Sequence, residues 1–246
     1  MSLPEAFQPF DDAQRRAIAL TADVVRRLEA GMTARDIFEI AETRLGEHGF
    51  QGWFHAPEIR VRPYGPARFL HRADARVKLA PGDLVSLDLG PADGSAYGDF
   101  GTTVTFASPD DKEPAVLGVA RDCIRASCGF ASRWKTLGEM VIFAQAWAVN
   151  HRMTLSQSET VGHRILGRQG WTSVGFPRSA HLATFLRRNQ LHKLNPVRMA
   201  GMLAIRPEVD DHGHRASFEE IVYIEGDQKG VLGRSSVAEV GTLPGF

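Results

Sequence analysis

The spacing of apolar residues predicts two consecutive helices at the start of the chain. Residues 11–30 place apolar side chains at helical intervals, among them Ile18, Val25 and Leu28. Gly31 is expected to end this helix, and Thr33 is expected to cap the next one. The second helix ends at Gly49, and its apolar face consists of Ile37, Ile40, Ala41 and Leu45.

The same order of elements recurs roughly a hundred residues later. Residues 51–106 are rich in Pro and Gly and have the patterns of strands and loops. Helical spacing returns at 114–131, and Thr136 then opens another helix, as Thr33 does in the first half. Further strands are predicted at 157–166, 201–209 and 216–225. Helix, helix and strands therefore occur twice, which predicts an α+β fold with a pseudo-twofold repeat.

The composition is that of a globular protein. Of the 246 residues, 43% are hydrophobic and 24% are charged, which allows a large core. Lys+Arg and Asp+Glu are equal at 29 each, so there is no basic excess of the kind that binds nucleic acid. No apolar run predicts a membrane span, and the N-terminus lacks the pattern of a signal peptide. Cys123 and Cys128 fall on different faces of a predicted helix and are expected to stay free. These features predict a cytoplasmic protein with a single domain over 1–246, in which residues 1–10 are flexible.

The segment DLVSLDLGPADGSAYGDFGTTVTF, residues 83–106, predicts a β-hairpin that carries acids inside apolar strands. Asp93-Gly94 is a typical two-residue hairpin loop, and this loop would place Asp88 directly opposite Asp99. Strand alternation divides the first strand into a polar face, Ser86 and Asp88, and an apolar face, Val85, Leu87 and Leu89.

Two carboxylates that face each other on apolar strands repel, and they need a cation, a shared proton or basic partners. One interpretation is a structural pair at the frayed end of the hairpin, solvated or bridged by an arginine. A β-bulge would also change the register. The other interpretation is a functional site in which Asp88 and Asp99 hold a positively charged partner.

The motif PGDLVSLDLG…YGDFGTTVTF resembles the metal-binding hairpin of the pita-bread superfamily, which includes methionine aminopeptidase, aminopeptidase P, prolidase and creatinase. In that hairpin one ligand Asp follows the other after eleven residues, and Asp88 and Asp99 match both the context and the spacing. The resemblance covers the chain from about residue 15 onwards. It implies an α+β pita-bread fold, in which helices flank a curved antiparallel sheet and the site lies at its centre.

The resemblance also implies further site residues. The segment TVGHRILG offers His163 as the next metal ligand, and RASFEEIVYIEG offers Glu219 as the last. With Asp88 and Asp99 this set would hold one divalent ion such as Mn²⁺, Fe²⁺ or Zn²⁺. His71, upstream of the first Asp, is implied to contact the substrate or to move protons.

One position departs from the family pattern. Where the family has a ligand Glu after Gly-Met, the segment AGMLAIRPEV has Arg206, which stays charged and does not ligate metals. Glu208 follows two residues later but is a poor positional match. The charge of Arg206 is expected to weaken at least one of the family's two metal sites. Alternatively, Arg206 replaces the metal and forms a salt bridge with Asp99 and Glu219.

Several basic residues are candidates for binding a substrate carboxylate. Arg178 and His181 lie downstream of His163 in the segment FPRSAHL and are the residues predicted to bind substrate. Arg60 and Arg62 in EIRVRP are a looser possibility, for which surface charge is the alternative.

The function that the resemblance implies is that of a metal-dependent hydrolase that cleaves a small peptide or amide. His71, His163 and Arg206 are its catalytic candidates. One alternative is a metal-free, creatinase-like enzyme, in which Arg206 holds the acids and a histidine performs acid–base chemistry. Another is an inactive peptidase-like module that binds proteins. The expected partner is a small molecule or short peptide, with neither nucleic acid nor membrane, and the family alone implies a homodimer.

Overall fold

The computed structural model describes residues 3–62, 76–94, 96–107, 113–155 and 198–245, together with the backbone of residues 161–165. Three of the predicted site residues lie outside the described residues: His71, Arg178 and His181. For His163 the backbone alone is described.

The described residues contain four α-helices, α1 (Gln8–Arg26), α2 (Ala34–Leu45), α3 (Ala115–Phe130) and α4 (Leu137–Asn150). The predicted caps of α2 and α4 are confirmed, because Thr33 and Thr136 each form a capping box with an acid three residues later. The threonine hydroxyl accepts the N–H of the acid, whose carboxylate accepts the N–H of the threonine. These hydrogen bonds lower the pKa of both acids, Asp36 and Glu139.

Residues 5–10, for which the sequence predicts flexibility, are helical. A 3-10 helix at Glu5–Phe7 leads directly into α1, whose first turn contains a proline. Proline suits this position, because the first N–H groups of a helix have no partner within the helix. The ring of Phe7 packs against that of Tyr223, with their centroids 5.2 Å apart, and this contact holds the segment to the sheet.

The strands of the described residues are β1 (Gly52–Trp53), β2 (Glu58–Val61), β3 (Leu84–Leu89), β4 (Pro91–Ala92), β5 (Phe100–Thr105), β6 (Thr154–Leu155), β7 (Val161–Ile165), β8 (Gly201–Ile205), β9 (Glu208–Asp211), β10 (His214–Ser217), β11 (Glu220–Glu225) and β12 (Gln228–Val231). They pair in the orders β2–β3–β5, β12–β11–β8–β7, β10–β9–β6 and β1–β4. Every pair is antiparallel. A bridge between Gly101 of β5 and Glu219, just before β11, connects the first two groups.

The register of the β3–β5 hairpin differs from the prediction. Asp88 lies opposite Gly101, so the predicted direct pairing of Asp88 with Asp99 is wrong. The loop closes between Asp93 and Ala96, whose backbone groups are hydrogen-bonded at 3.0 Å, and the side chain of Asp93 also accepts the N–H of Ala96. The partner of Asp88 thereby moves by two residues. Because side chains alternate with a period of two, Asp88 and Asp99 still point to the same face.

Each pair of helices covers one half of the strands. The first core lies between α1, α2 and the apolar face of β3, where Val85, Leu87 and Leu89 are buried. The second lies between α3, α4 and β8, β10 and β11, with Leu203, Ile205, Ala216 and Val222 among its residues. Cys123 and Cys128 are buried in the second core and are free, as predicted. Within the described ranges, no helix has both the length and the apolar character that a membrane span requires.

Candidate metal centre

Ionisable side chains lie in a row across the strands. Glu58 of β2 pairs with Asp88, and Asp88 pairs with Gly101. Gly101 bridges to Glu219, and the register of β8 and β11, continued by one residue, brings Arg206 opposite Glu219. Paired residues of neighbouring strands share one face, so the charged side chains point to the same side. A Cβ at Gly101 would lie 2.8 Å from the Cβ of Glu219, so glycine is what lets these strands approach.

A second row runs beside the first, two residues away along each strand, and consists of Arg60, Ser86, Thr103, Ser217 and Glu208. The ends of this row are in contact, because Arg60 Nη1 lies 2.9 Å from Glu208 Oε2. The first row closes in the same way, with Arg206 Nη1 3.1 Å from Glu58 Oε2. The strands therefore curve until the two ends of each row meet.

The guanidinium of Arg206 lies among the acids of the first row, and its side chain is only 7% exposed. Its Nη1 donates to Asp88 Oδ2 and to Glu58 Oε2, and its Nε lies 3.7 Å from Glu219 Oε2. The predicted ion pair with Glu219 is present, whereas the predicted salt bridge with Asp99 is replaced by one with Asp88. Burial raises the pKa of Glu58, but the charges of Arg206 and Arg60 outweigh this effect and the pKa is lowered.

His55, in the turn before β2, lies between the two hairpin acids. Its Nε2 is 3.0 Å from Asp99 Oδ1 and 3.5 Å from Asp88 Oδ1. Its Nδ1 lies 2.9 Å from the carbonyl oxygen of Ala56, which can only accept, so Nδ1 carries a proton. The ring rests on Gly90, where a Cβ would lie 2.3 Å from it. His55 therefore turns Nε2 towards both carboxylates.

The hairpin acids retain oxygens that no donor of the described chain satisfies. Asp88 Oδ1 and Asp99 Oδ2 are buried and have no hydrogen-bond partner among the described residues. One ligand atom from each of His55, Asp88 and Asp99 lies within 4.8 Å of the others. Metal–ligand bonds of about 2.0–2.2 Å place neighbouring ligand atoms about 3.0–3.5 Å apart. The two His55 distances of 3.0 and 3.5 Å fall in this range, so the residues fit a divalent ion.

Burial and charge shift the pKa values of this cluster in opposite directions. Burial lowers the pKa of His55, but the charges of Asp88 and Asp99 outweigh it and raise the pKa to about 10. Burial raises the pKa of Asp88 to about 6, against the charges of Arg206 and His55. Burial, together with the charges of Asp99 and Asp88, raises the pKa of Glu219 well above its usual value. The cluster therefore favours the protonated form of Glu219 more than an exposed position would.

Gln14 of α1 fixes the backbone of Asp99. The Asp99 N–H donates to Gln14 Oε1 at 2.7 Å, and Gln14 Nε2 donates to the Asp99 carbonyl at 2.9 Å. The side chain amide thus replaces the strand partner that Asp99 lacks, since β5 begins only at Phe100. Gln14 is fully buried, at 0% exposure. It holds one of the two acids in place from outside the sheet.

Of the residues predicted for the site, the structure brings together Asp88, Asp99, Glu219 and Arg206. The backbone of His163 pairs with Ala204 on β8, close to Arg206 in the chain. Sequence reasoning missed His55, Glu58 and Gln14. The charged residues that alternate on β2 were the available signal for Glu58, whereas nothing near His55 in the sequence indicates its contact with Asp99.

The two arginines of the EIRVRP segment have different surroundings. Arg60 is partly buried, with its side chain 13% exposed, and pairs with Glu58 and Glu208. Arg62 is 43% exposed and pairs with Asp83 at 2.7 Å. The alternative of surface charge therefore describes Arg62 better than Arg60.

Comparison with known sequences gives a match over most of the chain. A sequence model of metallopeptidase family M24 matches residues 10–225. Methionine aminopeptidase 1 of Mycobacterium tuberculosis (strain CDC 1551 / Oshkosh) is 26% identical over 209 residues. The aligned part covers 80% of this chain and 75% of that relative.

Solved structures share the fold at lower sequence identity. X-Pro aminopeptidase from Thermotoga maritima MSB8 matches with a TM-score of 0.70 at 15% identity, over 94% of this chain and 61% of its own. Prolidase from Pyrococcus horikoshii OT3 has a TM-score of 0.70 at 15% identity, over 96% of this chain and 64% of its own. Methionine aminopeptidase from Thermotoga maritima has a TM-score of 0.67 at 17% identity, over 95% of this chain and 98% of its own. The chain thus spans less than two thirds of the length of the first two proteins. The similarity to all three structures confirms the predicted pita-bread fold.

Proposed function

The chain belongs to metallopeptidase family M24, and we propose on this basis that it is a metal-dependent hydrolase that cleaves a short peptide or a small amide. The observation that supports the proposal most directly is the pair of buried, unsatisfied oxygens on Asp88 and Asp99, with the imidazole of His55 beside them, among the described residues. Such oxygens are expensive to bury unless a cation binds them. A homodimer stays a prediction.

In this proposal Asp88 and Asp99 bind the ion, and His163 and Glu219 stay predicted ligands. A bound divalent ion polarises a carbonyl group and lowers the pKa of water, which is the chemistry that amide hydrolysis requires. Gln14 keeps the backbone of Asp99 in place through its two hydrogen bonds. His71 is the proposed group for proton transfer.

The hydrogen bond between Arg206 and Asp88 favours a second candidate, a metal-free enzyme. There the positive charges of Arg206 and His55 would neutralise the hairpin acids, and a histidine would perform acid–base chemistry. An inactive module that binds proteins is the third candidate, because a buried ion-pair cluster also serves as a purely structural element.

Turnover assays with and without metal distinguish the candidates. The chain is stripped with a chelator, supplied with Mn²⁺, Fe²⁺ or Zn²⁺, and tested on peptides with N-terminal Met, on Xaa-Pro dipeptides and on small amides. We expect turnover only with metal. We also expect Asp99→Asn to lower kcat/KM more than about tenfold, whereas Asp122→Asn, at an exposed aspartate, leaves it unchanged.

Each other result favours a different candidate. Turnover that survives chelation rejects the metal-dependent hydrolase and supports the metal-free enzyme. If no substrate class is cleaved under any condition, the hydrolase proposal is wrong and the binding module remains.

A further inference from the structure

We infer that this site binds one divalent cation rather than two, on His55, Asp88 and Asp99, because Arg206 occupies the other half of the acid cluster. The inference rests on the proposed function for the presence of a divalent ion. It adds a ligand, His55, and a stoichiometry, and both follow from how the oxygens of the cluster are distributed.

The guanidinium half of the cluster is already filled. Arg206 binds Asp88 Oδ2 and Glu58 Oε2 and lies 3.7 Å from Glu219 Oε2. Its charge is permanent, so a second metal ion here would meet a fixed positive charge. That ion would also compete for oxygens that the guanidinium already holds. Arg60 Nη2, 3.0 Å from Glu58 Oε1, holds the same glutamate from the other side.

The remaining donors form the second half. Asp88 Oδ1 and Asp99 Oδ2 have no hydrogen-bond partner in the described part of the chain, and their side chains are 8% and 2% exposed. His55 Nε2 points at the same acids, and its Nδ1 proton on the Ala56 carbonyl is the arrangement typical of a metal-binding histidine. One imidazole and two carboxylates suit a borderline ion such as Mn²⁺, Fe²⁺ or Zn²⁺.

Asp88 decides the number of ions. In two-metal sites the ions lie about 3.5–4 Å apart and require carboxylates that reach both. Asp88 has one oxygen on the guanidinium and one towards the His55 side. It therefore links Arg206 to a single ion, and the guanidinium stands where a second ion would need the same carboxylate.

Metal binding to the full chain tests this inference without any measurement of turnover. Metal-free protein is titrated with Mn²⁺, and the stoichiometry is read by calorimetry and by electron paramagnetic resonance. We expect one ion per chain and the spectrum of an isolated Mn²⁺. His55→Ala is expected to weaken binding by at least about tenfold, whereas His151→Ala, at an exposed histidine, leaves it unchanged.

Variants of Arg206 test the guanidinium half of the cluster. Arg206→Glu is expected to admit a second ion, which the spin-coupled spectrum of two neighbouring Mn²⁺ ions would report. Because this change places another acid among buried acids, Arg206→Gln is measured beside it, and we expect that variant to bind the first ion at least about tenfold more tightly. Circular dichroism shows which variants are folded.

The inference is wrong if the wild-type chain binds two ions or none, or if His55→Ala binds Mn²⁺ as tightly as His151→Ala does. These results are separate from those of the turnover assays. A chain that binds one ion and cleaves nothing supports this inference and contradicts the proposed hydrolase. A chain that cleaves peptides and binds no ion contradicts this inference and supports the metal-free enzyme.

Discussion

Gln14→Leu is the sharpest test of how the site is positioned, since in the described part of the chain Gln14 binds the backbone of Asp99 and none of the candidate ligand atoms. Leucine has a similar size but neither donates nor accepts a hydrogen bond. The change leaves the N–H and the carbonyl of Asp99 without the partners at 2.7 and 2.9 Å. Each buried, unsatisfied group costs about 1–3 kcal/mol, so we expect the free energy of unfolding to fall by about 2–6 kcal/mol.

Urea denaturation measures this loss, and Gln145→Leu, at an exposed position of α4, serves as its control. Affinity for Mn²⁺ provides a second readout, because a released Asp99 no longer holds its carboxylate in place. The reasoning is refuted if Gln14→Leu and Gln145→Leu differ by less than about 0.5 kcal/mol. A large loss of stability with unchanged Mn²⁺ affinity would limit Gln14 to a structural role.

Three further changes test other parts of the structure. Gly90→Ala places a Cβ 2.3 Å from an imidazole ring and is expected to weaken Mn²⁺ binding in calorimetry, whereas Gly129→Ala meets no atom within 4 Å and keeps it. Arg60→Met removes the cation beside the buried Glu208 and should lower the free energy of unfolding by about 3–5 kcal/mol in urea, whereas Arg62→Met, at an exposed arginine, costs at most about 1 kcal/mol. Burial raises the pKa of Asp23, but hydrogen bonds and charges from its basic neighbours outweigh it and lower the pKa. A carboxylate whose pKa is lowered in the folded state stabilises the fold at pH values above its unfolded-state pKa. This stabilisation is lost as the pH falls through the folded-state pKa. Asp23→Asn should therefore lower the free energy of unfolding at neutral pH, and the difference from the wild type should shrink below about pH 4. A difference that stays constant with pH in urea denaturation would contradict this.

The parts of the fold that the sequence predicts well depend on residues close together in the chain. The capping boxes at Thr33 and Thr136 involve an acid only three residues away, so the local pattern contains both partners. The hairpin acids are an intermediate case. The predicted register is wrong because the loop at Asp93 closes one residue later than expected, which moves the partner of Asp88 by two residues. Because this shift is an even number of residues, Asp88 and Asp99 still point to the same face of the hairpin, as predicted.

Contacts between distant segments could not be predicted in this way. His55 and Asp99 are 44 residues apart, and Gln14 and Asp99 are 85 apart. Their meeting depends on how α1 packs on the hairpin and on how β2 joins β3. Neither depends on a pattern that a single segment carries. The same holds for Arg206 and Glu58, 148 residues apart, whose contact follows from the curvature of the strands.

The charges of the two rows explain how Arg206 fits at the position where the sequence resemblance implies a ligand glutamate. Arg60 lies against Glu58 and Glu208, and Arg206 lies against Glu58 as well. Two guanidinium groups thus face two glutamates from opposite ends of the rows. The positive charge of Arg206 is matched by Glu58, an acid outside the set of predicted ligands.

Because Glu58 and Glu208 match the charges of the two arginines, the negative charges of Asp88 and Asp99 remain for a further cation. Burial, together with the charges of Asp99 and Asp88, raises the pKa of Glu219 well above its usual value, so this glutamate carries its negative charge less readily than an exposed one. A divalent ion would neutralise the two carboxylates and take the place of the Nε2 proton that their charges favour on His55, while Nδ1 keeps its proton on the Ala56 carbonyl. In the proposed site, Arg206 therefore leaves room for one cation on the hairpin acids. It removes the need for a second ion, because it supplies a permanent positive charge on the side of Asp88 that faces Glu58.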